Sequence, residues 1–151
     1  MAMAVGIFLL TVMLFMAAMG LLSHFKQPAL GLHQGALQPC PAEPNCVCSE
    51  AGEGQQHTIS SLNLGRNADV AWSQLQKVMG ELGGKLIHSN ENYLHAEFTS
   101  LLFRFVDDFE ARLDQESGQI HLRSASRVGH SDLGANRKRV EAIRIRFEAA
   151  E

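Results

Sequence analysis

No residue between Met1 and Ser23 carries a charge, and no Lys or Arg precedes the apolar run Val5 to Met16. The lack of charge excludes a solvated surface helix, because such a helix needs one polar face. At 1.5 Å per residue a helix over this stretch is about 34 Å long, enough to cross a hydrocarbon core of about 30 Å. The missing basic residue argues against a cleaved secretory signal, although Val5 to Met16 has the length of an h-region and Ala18-Met19-Gly20 has the small-x-small form of a cleavage site. The sequence therefore predicts an N-terminal transmembrane or signal helix over 1–23, with retention as an anchor favoured over cleavage. Lys26 is the only Lys or Arg near this stretch, so flanking charge does not orient the span.

Internal repeats and low-complexity runs are also missing, which excludes a solenoid. Aromatic residues are scarce where basic ones cluster. From Gln119 to Arg146 there are seven Lys/Arg against two acids, with only Phe147 nearby, whereas His24 to Gly118 holds six against twelve. Nucleic-acid recognition needs aromatics among its cations, so no nucleic-acid partner is expected. The charge asymmetry instead suggests that acids and bases from the two halves meet inside one fold. No motif tied to a known reaction occurs, and neither a metal nor a cofactor is predicted.

Three cysteines remain, Cys40, Cys46 and Cys48, and all four prolines lie between residues 24 and 56. Prolines hold the Gln38 to Cys46 backbone extended or turned, and a loop of that length can bring Cys40 and Cys46 to the Cα separation of about 4.4–6.8 Å that a disulfide needs. Unpaired thiols are the main alternative. Zinc ligation is disfavoured by the C-x5-C-x-C spacing and by the lack of paired histidines near His33 and His57, and a nucleophilic cysteine would need a His base that the sequence does not place. A disulfide implies an oxidising compartment. The expectation is a domain on the extracytoplasmic, periplasmic side, membrane-anchored or, if the leader is cleaved, secreted.

Residues 24–56 read as a tether and extended lead-in, and 57–151 as one α+β domain. Thr58 to Leu64 suggests a short strand. Asn67 or Asp69 caps a helix through about Leu82, whose apolar residues recur at helical spacing, and Gly83-Gly84 ends it. Strands follow at Lys85 to His88, Tyr93 to Ser100, Phe103 to Asp114 and Gln119 to Arg127. Asp132 then caps a last helix through about Ala149, with Leu133, Val140, Ile143 and Phe147 on its buried side. This order, β-α-β-β-β-β-α, predicts an antiparallel sheet with both helices on one face.

The loop Gln115-Glu116-Ser117-Gly118 fixes a register, and register fixes which side chains share a face. If Asp114 pairs with Gln119, one face carries Leu113 opposite Ile120, Ala111 opposite Leu122, Phe109 opposite Ser124 and Asp107 opposite Ser126. It is apolar near the turn and polar at the far end, a place for a mainly apolar ligand to anchor a polar group. The other face carries Arg112 opposite His121, Glu110 opposite Arg123 and Asp108 opposite Ala125, with Arg123 and Arg127 diagonal to Asp108. This is an ion-pair lattice, expected on a solvated surface. Beyond it, Arg123 to Arg137 leaves the strand, turns at Gly129 and enters a helix whose N–H groups favour an anion. Asp132 opposes that, so a clasp of Asp132 with Arg127 or Arg137 is preferred. His130 and Ser131, adjacent in a turn, are unlikely to point together as a catalytic pair.

Cys40-Pro41, Pro44-Asn45-Cys46-Val47, Phe105-Val106-Asp107-Asp108, Arg123-Ser124-Ala125-Ser126-Arg127-Val128-Gly129, Ser131-Asp132-Leu133-Gly134 and Asn136-Arg137 together resemble the domain of unknown function 1499 family. The resemblance runs in order from about Cys40 to Phe147. It implies a small domain often found behind an export signal or membrane anchor in bacteria, with relatives in plastids, and brings no established reaction. A serine is usual there where this chain has Cys48, which supports the 40–46 pairing. The resemblance makes Asp107, Asp108, Arg123, Ser124, Ser126, Arg127, Asp132, Asn136 and Arg137 the candidate site, for ligand binding or as a structural clasp. The leading expectation is a membrane-tethered, non-enzymatic module that binds a small ligand, lipid or protein. The alternatives are a hydrolase-like enzyme using Asp107 or Asp108 with His130 or a serine, and a structural subunit of a membrane complex.

Overall fold

The computed structural model describes residues 1–50, 54, 56–65 and 67–150. Residues 51–53 and 55 of the segment read as a tether, and Glu151, lie outside the described residues. The apolar leader forms one helix, α1 (Ala2–Phe25), buried against protein only at Gly20 and Ser23. It is long and apolar enough to cross a membrane. A small hairpin follows, β1 (Leu32–His33) and β2 (Ala36–Leu37), closed by Gln34 and Gly35. Both turn residues have positive φ, as a two-residue hairpin turn requires.

The domain is built from β3 (Cys46–Cys48), β4 (Leu62–Asn63), α2 (Ala68–Glu81), β5 (Lys85–Ser89), β6 (Tyr93–Thr99), β7 (Val106–Asp114), β8 (Gln119–Ser126) and α3 (Ala135–Glu148). The fold is α+β, with an antiparallel sheet in the order β3-β8-β7-β6-β5 and β4 joining the edge of β8 beside β3. Asn67 caps α2 by accepting the Val70 N–H at 3.1 Å, and Gly83, at φ 89°, ends it. The β7–β8 register is the one the loop length requires, from Asp114 opposite Gln119 to Asp107 opposite Ser126. Alternation then delivers Leu94, Ala96, Phe109, Ala111, Ile120 and Leu122 to a single face. Both helices cover that face, α2 through Trp72, Leu75 and Met79 and α3 through Val140, Ile143 and Phe147.

Three local expectations need correction. The lead-in contains a strand, since Cys46–Cys48 pairs with Arg123 to Ala125; its three residues are too few for a periodic signal. The last helix begins at Ala135 rather than after Asp132, because Leu133 and Gly134 are left-handed, with φ 54° and 78°. Leu133 therefore points outward, 88% exposed, rather than into the core. The charged face of the sheet is not solvated either. The β1–β2 hairpin and the chain around Cys40 and Cys48 lie over it, packing Leu37 and Cys48 against Tyr93.

Candidate functional site

On the covered face, Arg127 grips Asp108 with two hydrogen bonds of 2.8 and 2.7 Å, and His95 Nε2 lies 2.8 Å from the same carboxylate. Arg127 also reaches Glu97 at 2.5 Å. Glu97 sits directly opposite Asp108 across β6 and β7, so the register places two acids side by side and this guanidinium between them. Next along β7, Glu110 is wholly buried and accepts from Arg123 at 2.7 Å, Tyr93 Oη at 2.7 Å and the Gly31 backbone N–H at 2.8 Å. Arg112 closes the row on Glu50 and Asp114.

These contacts set the titration of the face. Burial pushes the Asp108 carboxyl up, but hydrogen bonds and charge from Arg127 and His95 outweigh it, and the group stays below the usual carboxylate range. The Asp108 hydrogen bond, against the opposing effect of burial, holds Arg127 in its charged form. Burial, then Glu110 beside it, raises the Tyr93 phenol. This network ties strands and the N-terminal segment together, and most of its polar groups are spent on one another, the buried Arg123 Nε being left without a hydrogen-bond partner.

Asp107 points to the opposite face from Asp108, as neighbours on a strand must. Its carboxylate accepts from Arg139 at 2.6 Å, and the Arg139 guanidinium lies 4.7 Å over the Phe98 ring. Arg139 also donates to Ser124 Oγ and to Asn136 Oδ1. Asn136, fully buried, accepts from Ser124 Oγ at 2.7 Å and donates to Ser126 Oγ at 3.0 Å and to the Asn45 carbonyl at 2.9 Å. One amide thus joins β8, the start of α3 and the chain before β3. Asn45 Nδ2 donates to the Gly129 carbonyl at 2.6 Å, while its buried Oδ1 has no hydrogen-bond partner.

Asp132 does not clasp Arg127 or Arg137. Its carboxylate accepts the Gly134 N–H at 2.9 Å and the Asn136 N–H at 2.7 Å, occupying the helix-terminal donors an anion would want. Arg137 instead donates to the carbonyls of Thr58 at 3.0 Å and Gln56 at 2.8 Å, pinning the lead-in to α3. The sequence-derived residues thus fall into two groups. Asp107, Ser124, Ser126, Asp132 and Asn136 gather at one end of the helix-covered face, while Asp108, Arg123 and Arg127 lie on the other side and Arg137 stands apart.

Sequence reasoning left Arg139, Asn45, His95, Glu97 and Glu110 out of the site. Arg139 lies three residues after Asn136, on the same helix face, and that spacing was the available signal. The β6–β7 register that sets Glu97 opposite Asp108 has no equivalent signal, because the Ser100 to Phe105 connection does not fix it.

Beyond the polar end the sheet opens into a cleft of about 480 Å³. Ser100, Asp107, Ser126, Ser131 and Asp132 supply its polar lining, together with Val128 and Ala135. The rest of the lining is apolar: Phe15, Met16 and Met19 of α1, Leu102, Phe103, Phe105 and Val106 at the β6–β7 connection, and Leu133. α1 is held there by specific contacts. Ser23 Oγ accepts the Val106 N–H at 3.0 Å, His24 Nε2 lies 2.9 Å from the Arg104 carbonyl, and a methyl group on Gly20 would overlap the Phe103 carbonyl.

Residues 36–147 match the model of a family described as Protein of unknown function (DUF1499). The chain belongs to this family. No curated protein matches it. The DUF1499 match takes in the polar residues of the cleft and Leu102, Phe103 and Phe105, but not α1. The cleft is therefore assembled from the DUF1499 domain and from the apolar helix in front of it.

The cysteines complete the picture. Cys40 and Cys46 form a disulfide, Cα to Cα 5.6 Å, beside the buried free thiol of Cys48. Burial raises the Cys48 thiol above its ordinary pKa, which keeps it protonated and unreactive.

Proposed function

We propose that this protein is a membrane-tethered, extracytoplasmic, non-enzymatic domain that binds one amphiphile, a lipid or lipid-like molecule, in the cleft between α1 and the end of the sheet. The observation that carries this reading is the composition of the cleft. Its lining is mainly apolar, with two carboxylates and three hydroxyls set into it. Its volume falls within the about 300–1,000 Å³ usual for small-ligand sites. An apolar tail fits the apolar lining, and a head group that donates hydrogen bonds, such as an amine or a sugar hydroxyl, fits the carboxylates and hydroxyls.

The disulfide supports an oxidising, extracytoplasmic location. The contacts of Gly20, Ser23 and His24 support retention of the leader, since cleavage after Gly20 would remove one wall of the cleft. Binding is favoured over hydrolysis because Asp107 and Asp108 lie on opposite faces, each held by an arginine. A general base must instead be free within about 3 Å of its proton.

Native mass spectrometry of the full chain, released from its own membranes in mild detergent, tests this. The expected spectrum carries one lipid-mass adduct per chain, and Val128→Trp, which fills the cleft, removes it. Repeated recovery of the bare chain, or an adduct that survives Val128→Trp, contradicts the reading. A co-purifying protein in place of a lipid favours a structural subunit instead.

A further inference from the structure

The connection between β6 and β7, Ser100 to Phe105, holds Leu101 and Leu102 at its tip, 94% and 77% exposed. It runs beside α1 in the direction of the apolar run. Val106 is level with Ser23, which accepts its N–H, whereas Phe103 is level with Gly20. Gly20 lies three residues further into the helix, about 4–5 Å at 1.5 Å per residue. The same wall of the cleft continues to Met19, Met16 and Phe15, roughly 6–12 Å beyond Ser23 on that rise. The first polar residues after the apolar run are Ser23, His24 and Lys26, which place the hydrocarbon boundary there. The leucine tip therefore extends past the boundary, on the hydrocarbon side.

Across the cleft mouth, Leu133 repeats the arrangement. It is 88% exposed at φ 54°, a left-handed conformation that Asn or Gly would occupy more easily than leucine. Leu133 does not stand alone, since it lines the cleft with Met16, Met19 and Leu102, and a contiguous exposed apolar surface of this kind is expected in a lipid contact. Arg104, also left-handed at φ 59°, and Lys26 stand at the level of the boundary, where their charges meet lipid head groups.

We infer that Leu101, Leu102 and Leu133 seat in the bilayer as two lipid-inserted lips, so that the cleft opens sideways into the acyl-chain layer. This rests on α1 being retained in the membrane, as proposed above, but not on what occupies the cleft. The lips continue the lipid-facing surface of α1, and that continuity selects the bilayer as their partner.

The test uses the full chain in vesicles of phosphatidylcholine brominated at upper, middle or lower acyl positions, with Trp reporters read against the parent, whose Trp72 is buried. Reporters are Leu102→Trp on the lip, Leu9→Trp in α1 and Ile145→Trp on the exposed side of α3. Leu102→Trp is expected to be quenched at least twofold more than Ile145→Trp, most strongly by upper-chain bromines, and Leu9→Trp by deeper ones. If Leu9→Trp is quenched and Leu102→Trp matches Ile145→Trp, the lips do not insert and the inference fails alone. A blue-shifted but unquenched Leu102→Trp shows that protein covers the tip, which also overturns it. If Leu9→Trp is itself unquenched, the anchor and the lips fail together.

Discussion

Glu110 is buried without contact with water, yet it sits among three hydrogen-bond donors, one of them a guanidinium. Leaving one charge of such a pair without its partner costs about 3–5 kcal/mol, whereas replacing both by apolar groups of similar size is often neutral. Arg123→Ala should therefore lower stability by about 3–5 kcal/mol in urea denaturation, and Glu110→Leu with Arg123→Met should recover only part of it, because the Tyr93 hydroxyl and the Gly31 N–H then lose their acceptor. Equal losses in the single and double variants would show that the pair is not the source.

Acid should act on the same face. Asp108 titrates below its ordinary value of 3.8 and Asp114, under hydrogen bonds from Ser117 and then Arg112, at about 2. A depressed folded-state pKa gives stability that is fully present above the unfolded value and is lost as pH falls through the folded one. Denaturation midpoints should thus hold steady down to about pH 4 and fall below it, and Asp108→Asn should flatten that fall. A midpoint that declines already between neutrality and pH 5, and equally so in Asp108→Asn, would assign the loss to other groups.

Among elements, the junction of β8 with α3 depends on Asp132 and Asn136. Asp132 satisfies two backbone N–H groups at the start of α3, so Asp132→Ala should cost about 1 kcal/mol, as loss of a helix cap does. Asn136→Ala removes bonds to β8 and to the Asn45 carbonyl together and should cost more, about 1–3 kcal/mol for each partner left unpaired in the interior. Thermal melts of both variants order the two effects, and a smaller loss for Asn136→Ala contradicts the junction. Reduction of the Cys40–Cys46 bridge, which closes a short loop, should cost only about 2 kcal/mol.

What was legible in the sequence at this scale follows from how many residues carry each signal. The β7–β8 register could be read because a four-residue loop leaves little freedom, and α2 because a cap, a stripe and a terminal glycine agree. Strand β3 could not, since three residues define no period, and of the strand expected over Thr58 to Leu64 only Leu62–Asn63 pairs, as β4. The polar cluster at Asp107 and Ser126 was visible from register alone. Burial of the ion-pair face was not, because its cover comes from the proline-rich segment, which has no strand pattern of its own.

At the scale of the molecule, α1 forms one wall of the cleft. Gly20 lets the helix approach the Phe103 backbone closely, so Gly20→Leu should push α1 away while leaving the domain folded. The expected result is loss of the lipid adduct with an unchanged domain melting temperature. A retained adduct would show that α1 does not form the wall.

The most direct measurement is photo-crosslinking from Ala135, an exposed residue lining the cleft and part of the DUF1499 domain rather than of α1. A diazirine side chain placed there, and irradiated in native membranes, should yield an adduct of lipid mass on the peptide carrying it, alongside lipid labelling from the same probe at Phe8. Lipid labelling from Phe8 but none from Ala135 would mean that no amphiphile enters the cleft.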